Sequence, residues 1–599
     1  MMVSSSGTQA PRSAPRVGDA LRFKVDIGYG RLYVSGPDAR IVGSQVRGAY
    51  YNARRRAYEV SLTLESLASL KHYGRISSQA LASRCTEGVM NWAWAARRSH
   101  DAVVGLHQKI NAGHRAILPW HDSDRDDRPP FAHQEIMATV ASEISGSAFL
   151  AEMGTGKTRA AIEAMSHHAR NKVVDMFLVV CPVAVMSTWE RELVMWSDNL
   201  EPIRLDGPVR ERDEWIRLTA EAMRQDGFLV PKVPVAIVNY EVLAKLADTI
   251  VAADIRWGVI LDEGHRIRNP TAKVSKAAMR IAGRASWRLL MTGTPILNGL
   301  QNVWGQWYFV DLGVTFGANF VQFKREFFNE NRWTMKLEPV EGVVDEFNGR
   351  LHVRGLRFRK EDCLDLPPKI HEVHEVEMTR EQAAAYRDMR DQLLVDLENM
   401  DQDEEGTASA SIILTQILRL TQITSGFLPR DADDPDSKPY LFEPNPKLNA
   451  LDEIVREQVG DGRSVIVWAW YRQDVARIVE KLADLSPVRI VGGMTRQGRE
   501  EAERAFQAGE ARVLVGNPAS AGVGLNLQAA SVAIYYSQGY NLEHRAQSED
   551  RCHRSGSEVH KSVTYIDLSC RDTIDEAVRN ALAGKMQLAD AVVEIRDAL

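Results

Sequence analysis

Cysteine is scarce in this chain, and no long apolar run interrupts it. The five cysteines among 599 residues form no CxxC pair and have no His-rich neighbour. This spacing argues against a disulfide framework and a structural zinc site, and it favours a reducing compartment. No stretch reaches the about 18 consecutive apolar residues of a membrane-spanning helix. Residues 1–20 lack the apolar centre of a signal peptide, so we expect neither secretion nor membrane insertion.

The chain also lacks a basic excess. Its 74 Lys and Arg stand against 80 Asp and Glu, which gives a net charge of -6. Any nucleic-acid surface must therefore be a local patch. One candidate lies near the N-terminus, because residues 1–60 hold ten Arg or Lys and only four Asp or Glu.

Short apolar runs recur between helical patterns in two series. Continuous apolar runs that alternate with helices predict parallel strands buried on both faces. The first series lies at 173–182, 233–240, 257–263 and 288–295, and the second at 464–470, 488–493, 511–517 and 531–538. The sequence therefore predicts an α/β protein with two parallel-sheet lobes.

The region before the first lobe has a different pattern. Apolar and polar residues alternate in 22–29 and 57–64, which predicts a small β-rich module, and helical patterns follow it. The predicted parts are a disordered tail (1–20), a small basic β-rich accessory domain (21–70), a helical connector (71–125), a first lobe with a helical protrusion (126–370) and a second lobe with C-terminal helices (371–599).

The stretch 149-FLAEMGTGKT-158 places a Gly-rich turn between an apolar run and a helical pattern. It matches the phosphate-loop pattern except that Ala151 stands at the first glycine position. Backbone N–H groups and the helix dipole at such a turn can hold a triphosphate, with Lys157 on its β- and γ-phosphates and Thr158 on Mg²⁺. The predicted ATP-binding residues here are Met153, Gly154, Thr155, Gly156, Lys157 and Thr158.

Two carboxylates follow a neighbouring apolar run, 257-WGVILDE-263. The carboxyl ends of parallel strands face one crevice, so Asp262 and Glu263 are expected beside the phosphate loop. Asp262 would then hold the nucleotide's metal ion, and Glu263 would orient and deprotonate the attacking water. The alternative, a chance Gly-rich turn without a ligand, is weakened by this second motif.

The order of these motifs resembles that of superfamily-two helicases, which have two RecA-like lobes. More narrowly, the motifs resemble the Swi/Snf-type DNA-translocating ATPases, and the similarity spans about residues 128 to 580. The segments that carry the resemblance are 262-DEGHRIRN-269, 289-LLMTGTPILN-298, 366-LPPK-369, 516-GNPASAGVGLNL-527 and 547-QSEDRCHRSG-556.

The resemblance implies roles for further residues. It implies that Gln134 reads adenine, that Arg551 and Arg554 act on the γ-phosphate as catalytic arginines, and that the two lobes close on ATP and reopen after hydrolysis. The residues implied to couple the nucleotide site to DNA are Thr292, Gly293 and Thr294. The glycines implied to let the second lobe's backbone approach the nucleotide are Gly522 and Gly524.

A DNA track is also implied, with contacts to the phosphate backbone that do not depend on base sequence. For each candidate the alternative is simple packing within a lobe. The matching-motif candidates are Pro182, Trp189, Asn239, Tyr240, Asn298 and Asn526.

The N-terminal module resembles the HARP-type domain of annealing helicases over 23-FKVDIGYG-30 and 51-YNARRRAYEVSL-62. Arg54, Arg55 and Arg56 lie beside tyrosines and offer both phosphate charge and stacking faces for DNA. The alternative is a solvated hairpin tip. If the module recognises branched DNA, its deletion should leave the motor folded and active on plain duplex.

We therefore expect a DNA-dependent ATPase that uses ATP and Mg²⁺ to translocate on duplex DNA, remodelling forked or branched DNA or protein–DNA complexes in repair, recombination or replication. A strand-separating DNA or RNA helicase is the close alternative. An ATP-gated DNA-binding scaffold without turnover is the alternative of another class, and it predicts damage at Glu263 or Arg554. The compact length, without appended chromatin-reading segments, favours the nucleoid of a bacterial or phage-infected cytoplasm. Protein partners are not indicated.

Overall fold

The computed structural model describes most of the chain and divides it into two units. The described residues are 21–116, 129–225, 231–293, 299–330, 337–400, 407–429, 438–521 and 525–583. The first unit comprises Met1–Ala151 and Lys157–Arg357, and the second comprises Glu152–Gly156 and Phe358–Leu599. The predicted tail 1–20 lies outside the described residues, and the five-part division stays a prediction. No helix within the described ranges is long and apolar enough to cross a membrane.

The chain begins with a small antiparallel sheet whose strand order is β1-β2-β4-β3. Its alternating residues bury one set of side chains, including Val25, Leu32 and Val60, in a core of its own. The elements are β1 (Lys24–Gly28), β2 (Arg31–Ser35), α1 (Ala39–Gly43), β3 (Tyr50–Asn52), β4 (Ala57–Ser61), α2 (Leu64–Tyr73), α3 (Ser78–Ala82) and α4 (Glu87–Asn111). The predicted small β-rich module is observed, and the helical pattern after it forms helices.

The rest of the first unit is built on a seven-stranded sheet with the order β13-β5-β10-β9-β6-β8-β7. Its strands and two short hairpin strands are β5 (Gly146–Ala151), β6 (Met176–Cys181), β7 (Leu200–Arg204), β8 (Val233–Asn239), β9 (Trp257–Asp262), β10 (Ala285–Met291), β11 (Phe328–Glu330), β12 (Leu337–Pro339) and β13 (Gly355–Phe358). Its helices are α5 (Ala132–Glu143), α6 (Lys157–Arg170), α7 (Met186–Trp196), α8 (Val209–Gln225), α9 (Tyr240–Ala252), α10 (Lys273–Ala282), α11 (Val303–Asp311), α12 (Phe320–Phe327) and α13 (Val343–Arg354).

The register of this sheet brings three strand ends together. The strands β5, β6 and β9 are buried along their whole length, as their continuous apolar sequences predict. Met291 of β10 pairs in parallel with both Phe149 of β5 and Asp262 of β9. The carboxyl ends of β5, β9 and β10 therefore meet at one edge, which is where α/β sheets bind ligands.

The N-terminal module is attached to the rest of the first unit by polar contacts and by close backbone approaches, of which the one at Gly48 is the tightest. Gln322 Nε2 on α12 donates to the Gly48 carbonyl at 2.5 Å, and Arg47 Nη2 pairs with Glu346 Oε2 at 2.6 Å. A Cβ added at Gly48 would lie 2.6 Å from the backbone nitrogen of Glu326. Deletion of the module would remove these partners. The arginines of the module are therefore better tested by point changes than by the deletion that its sequence suggests.

We expect Gly48→Ala to lower the free energy of unfolding by about 1–3 kcal/mol. The new Cβ would meet rigid backbone, and Gly48 has a φ of +73°, which alanine adopts only with strain. The control is Gly349→Ala on the exposed face of α13, where no atom lies within 4 Å of the added Cβ. That change should be neutral or slightly stabilising. Urea unfolding followed by circular dichroism measures both, and equal midpoints would contradict the tight attachment.

The second unit contains a six-stranded parallel sheet with the order β14-β21-β20-β17-β19-β18. Its strands, with one two-stranded hairpin, are β14 (Lys369–Val376), β15 (Phe427–Leu428), β16 (Tyr440–Leu441), β17 (Ser464–Trp468), β18 (Val488–Ile490), β19 (Val513–Gly516), β20 (Ala530–Tyr535) and β21 (Val563–Cys570). Its helices are α14 (Lys360–Cys363), α15 (Arg380–Met400), α16 (Thr407–Ser425), α17 (Pro446–Gly460), α18 (Arg472–Lys481), α19 (Arg496–Gln507), α20 (Pro518–Ala521), α21 (Leu542–Cys552) and α22 (Ile574–Ala583). The predicted α/β class with two parallel-sheet lobes is confirmed.

Candidate active site

The Gly-rich turn between β5 and α6 has the backbone of a phosphate loop. Gly154 and Gly156 both have a φ of +81°, a conformation that glycine adopts without the cost other residues incur. Thr155 Oγ1 donates to the Glu152 carbonyl at 2.8 Å and closes the turn. Lys157 is 8% exposed, and its Nζ donates to the Ala151 carbonyl at 2.6 Å. The lysine ammonium is thus held at the loop itself.

Asp262 is fixed at the end of β9 by hydrogen bonds from several elements. Its Oδ2 accepts the indole N–H of Trp189 at 2.8 Å, and its Oδ1 accepts the backbone N–H of Glu263 at 3.0 Å. The Tyr240 hydroxyl donates to the Asp262 carbonyl at 2.7 Å. Burial raises the pKa of Asp262, the charge of Glu263 raises it further, and Trp189 and Lys157 oppose the rise. A cation bound beside Asp262 would also oppose this rise in its pKa.

The donors at this edge fit Mg²⁺ better than a transition metal. Thr158, half-buried in the first turn of α6, supplies a hydroxyl, and buried Asp262 supplies a carboxylate. Mg²⁺ takes one or two protein oxygens and completes its shell with waters and substrate phosphates. Within the described ranges, no group of three or more His, Cys, Asp or Glu side chains could hold a metal ion.

Glu263 has a left-handed backbone with a φ of +53°, which is uncommon for a residue with a side chain. Its Oε2 lies 3.4 Å from Nδ1 of His265, and the same nitrogen lies 3.4 Å from Oγ1 of Thr292. His265 is buried, with 6% of its surface exposed. Through these two contacts it links Glu263 to Thr292, which we predict to couple the nucleotide site to DNA. His265 lies within the 262–269 motif, but its position there does not by itself predict a role. Gly293 is half-buried beside Thr292.

Gln134 lies at the start of α5 and is 5% exposed. Its Oε1 accepts the backbone N–H of Phe131 at 3.1 Å, so the side chain secures the first turn of the helix. The Phe131 ring is 45% exposed and stacks on His133, with ring centroids 5.6 Å apart. The adenine contact of Gln134 stays a prediction, and Phe131 adds an accessible aromatic face at the same turn.

The two candidate catalytic arginines lie at the end of α21 and just beyond it. Within the second unit, Arg551 Nη1 donates to the Leu525 carbonyl at 3.2 Å, and its Nη2 lies 3.6 Å from Met153 Sδ of the phosphate loop. Arg554 Nη1 also donates to the Leu525 carbonyl, at 3.3 Å. A Cβ added at Gly154 would lie 3.0 Å from Arg554 Cβ. In that unit both arginines therefore lie beside the loop residues 152–156.

Two of the DNA-track candidates lie inside the first unit. Trp189 is fully buried and Tyr240 is 3% exposed. The Trp189 indole donates to the Asp262 carboxylate, and the Tyr240 hydroxyl donates to the Asp262 main-chain carbonyl. These contacts favour the packing alternative for both residues, and their role at DNA stays a prediction.

The other DNA-track candidates have mixed positions, and their role stays a prediction. Pro182 is buried, whereas Asn239 and Asn526 are half-buried. The Asn239 amide accepts from Arg212 at 3.0 Å and donates to Glu241 at 2.6 Å. Four predicted site residues lie outside the described residues: Thr294, Asn298, Gly522 and Gly524.

The arginine run forms the turn between β3 and β4. Arg54, Arg55 and Arg56 are all exposed. The Arg55 guanidinium lies 5.2 Å from the ring centroid of Tyr29 and 4.6 Å from that of Tyr33. Tyr29 is 81% exposed, so the tip combines positive charge with an accessible ring. Tyr29 is not predictable as part of this tip from sequence, because it lies in a different turn.

Two family models match the chain. The model described as "SNF2-related domain" matches residues 87–426, and the model described as "Helicase conserved C-terminal domain" matches residues 446–556. The first match covers more than half of the chain. The module at 21–70 lies outside both matches.

Curated relatives agree with the family models. The mouse (Mus musculus) chromodomain-helicase-DNA-binding protein 1-like is 26% identical over 447 residues, covering 74% of this chain and 47% of the relative. The protein p41 of Acyrthosiphon pisum secondary endosymbiont phage 1 is 26% identical over 488 residues, covering 78% of this chain and 98% of that protein. The chain spans about half the length of the mouse relative.

Among solved structures, the Sulfolobus solfataricus SWI2/SNF2 ATPase core in complex with dsDNA is similar to this chain. The two are 22% identical, and the match covers 79% of this chain and 94% of the other, with a TM-score of 0.36.

Proposed function

The chain belongs to the SNF2-related family, and from this premise we propose that it is a DNA-dependent ATPase that translocates on duplex DNA. The observation that carries the ATPase part is one edge of the seven-stranded sheet. The strand β5, which leads into the phosphate loop and the buried Lys157, ends there, and so does β9, which ends in the hydrogen-bonded Asp262. The scaffold alternative predicts a damaged Glu263 or Arg554, and both residues are intact.

In the proposed reaction, the residues of the candidate site have the following tasks. Lys157 binds the β- and γ-phosphates, and Thr158 and Asp262 would hold Mg²⁺, which neutralises phosphate charge. Glu263 orients the attacking water and accepts its proton. Arg551 and Arg554 stabilise the charge that develops on the transferred phosphoryl group.

His265 offers a connection between the ATP site and the segment proposed to couple to DNA. Its contacts to Glu263 and Thr292 give a short physical connection between the residue that activates water and the segment proposed to couple to DNA. We propose that this connection makes hydrolysis depend on DNA binding.

Movement on the duplex is proposed over strand separation because the motif resemblance is to double-strand translocases. The test is strand displacement with two substrates: a triplex, whose third strand a duplex translocase removes, and a plain duplex with a single-stranded loading tail. We expect ATP-dependent removal of the third strand and little separation of the plain duplex. Efficient unwinding of the tailed duplex without triplex removal would favour a strand-separating helicase.

We further propose that the module at 21–70 directs the motor to forked or branched DNA, with the arginine tip as its contact surface. The support is the exposed charge of Arg54, Arg55 and Arg56 together with the ring of Tyr29. Stacking faces beside phosphate contacts suit unpaired bases at a junction.

Changing Arg54, Arg55 and Arg56 to alanine should weaken fork binding and flatten its salt dependence. Each duplex phosphate contact that is lost should reduce the log-log slope by about 0.9. The measurement is fork and linear-duplex affinity across a salt series.

A matched control removes the same charge from the same module. The triple change of Lys24, Arg40 and Lys71 to alanine removes three exposed basic residues that lie outside the turn between β3 and β4. If both triple variants give the same salt slope, the tip has no specific contact with DNA and is a solvated turn.

The biological setting is also a proposal. The similarity to a phage protein over nearly its whole length supports a bacterial or phage setting. There the motor would act on nucleoid DNA during repair, recombination or replication.

A further inference from the structure

A buried lysine in the second unit contacts the segment that carries both candidate catalytic arginines. Lys360, the first residue of α14, is 6% exposed. Its Nζ donates to Asp550 Oδ1 at 2.6 Å and to the carbonyl oxygen of His553 at 2.7 Å. These two acceptors lie on either side of Arg551, and His553 directly precedes Arg554.

Further contacts hold the same segment from the same side. His553 Nε2 donates to the carbonyl of Pro367 at 2.9 Å. Lys369 Nζ lies 3.4 Å from Glu549 Oε2 and 3.9 Å from Asp550 Oδ1, and it is more exposed than Lys360. The stretch 358–369, which we call the strut, therefore braces the last turn of α21 and the turn after it.

The strut also holds the start of the phosphate loop within the second unit. The Lys360 backbone N–H donates to Glu152 Oε2 at 3.0 Å, and the Glu152 backbone N–H donates to the Phe358 carbonyl at 3.0 Å. A Cβ added at Gly154 would lie 3.4 Å from Lys360 Cε. One residue thus contacts the arginine segment through its side chain and the loop through its backbone.

Packing alone does not account for a lysine here. A buried ammonium is costly unless it is paired, and an apolar side chain of similar length would fill the same space. Unlike an apolar side chain, the ammonium donates hydrogen bonds to one carboxylate and one carbonyl, and these two groups lie on either side of Arg551.

We propose that Lys360 is a positioning residue that sets Arg551 and Arg554 for ATP hydrolysis. This inference rests on the proposed ATPase function. It assigns to the strut the task of fixing the arginine segment relative to residues 152–156.

The test is single-turnover ATP hydrolysis and ATP affinity for Lys360→Met, which removes the charge and keeps the length. A small displacement of a catalytic group costs about 10²-fold in rate, so we expect that loss in the chemical step with ATP affinity unchanged. Lys360→Arg should recover most of the rate because it restores the charge. Asp550→Asn, which keeps the shape of its side chain, should reproduce the loss and serves as the test if Lys360→Met does not fold.

A combined variant separates positioning from a general loss of structure. If Lys360 acts through the two arginines, adding Lys360→Met to a variant that already carries Arg551→Ala and Arg554→Ala should slow hydrolysis no further. The proposal would be overturned if the rate losses of the separate changes multiplied in the combined variant, or if Lys360→Met hydrolysed ATP at the wild-type rate. Lys561→Met is the control: it removes an exposed lysine of the same unit that lies outside the strut and outside α21, and it should cost little.

The pH profile gives an independent readout. Burial lowers the pKa of Lys360 to about 8. The charge of Asp550 opposes this lowering of the pKa, and the charges of Lys369 and Arg554 add to it. The Glu152 carboxylate contacts the backbone N–H of Lys360. As pH rises through about 8, Lys360 loses its proton and its pairing, so the wild-type rate should fall. Lys360→Arg should not show this fall, since arginine stays charged. Identical profiles would contradict the positioning role.

Separate results would contradict the proposed ATPase function and the proposed role of Lys360. If Arg554→Ala hydrolyses ATP at the wild-type rate, the proposed function itself is contradicted. If Arg554→Ala is slow but Lys360→Met is not, only the role of Lys360 is contradicted.

Discussion

Lys157→Ala is expected to abolish ATP turnover, with a loss of at least about 10²–10³-fold. The Lys157 ammonium is held at the phosphate loop by the Ala151 carbonyl, inside a turn whose glycines have the backbone needed to approach phosphates. Alanine removes the ammonium group that we assign to the β- and γ-phosphates. The measurement is steady-state phosphate release with saturating duplex DNA.

The control for this change is Lys245→Ala, which removes an exposed lysine from α9 of the same unit. It should leave turnover unchanged. If Lys157→Ala turned over ATP like Lys245→Ala, the nucleotide site would have to lie elsewhere.

Arg554→Ala is expected to slow the chemical step by about 10³-fold while leaving ATP binding largely intact. An arginine that contacts the transferred phosphoryl group contributes mainly when negative charge shifts during the reaction. In the structure, Arg554 is half-buried and its guanidinium is oriented by the Leu525 carbonyl. Single-turnover hydrolysis and nucleotide affinity measured side by side separate the two effects.

Glu263→Gln provides a comparison for this prediction. The amide keeps the shape of the carboxylate but cannot accept a proton, so binding should persist while hydrolysis fails. If Arg554→Ala instead lost nucleotide affinity with an unchanged chemical step, Arg554 would be a binding residue and not a catalytic one.

The buried strands were predictable because each is a continuous apolar run. The prediction at 257–263 became β9, and that at 531–538 became β20. The strands β7 and β14 were not predicted, and β14 is exposed over most of its length. A strand with so little burial has no apolar run to reveal it.

The phosphate loop could be found from local sequence, but the support of Asp262 could not. Trp189 and Tyr240 lie about 73 and 22 residues before Asp262 along the chain, and only the folded sheet brings them to it. Motif position predicts a DNA track for both, and their burial favours the packing alternative that the sequence also left open.

The contacts of Lys360 are even less predictable from sequence. Its partner Asp550 is 190 residues away, and nothing in the local sequence 358-FRKEDC-363 distinguishes this lysine from a solvated one. The attachment of the N-terminal module likewise depends on pairs such as Arg47 with Glu346. Long-range pairing of charged residues has no signature in a single sequence.

The proposed function requires that duplex DNA drives ATP turnover by this chain. The ATPase rate of the full chain should be measured with no nucleic acid and with duplex DNA, single-stranded DNA, forked DNA and RNA, each at saturating concentration. We expect strong stimulation by duplex and forked DNA and weaker stimulation by single strands and RNA. Stimulation by RNA equal to or greater than that by duplex DNA would contradict the proposed function.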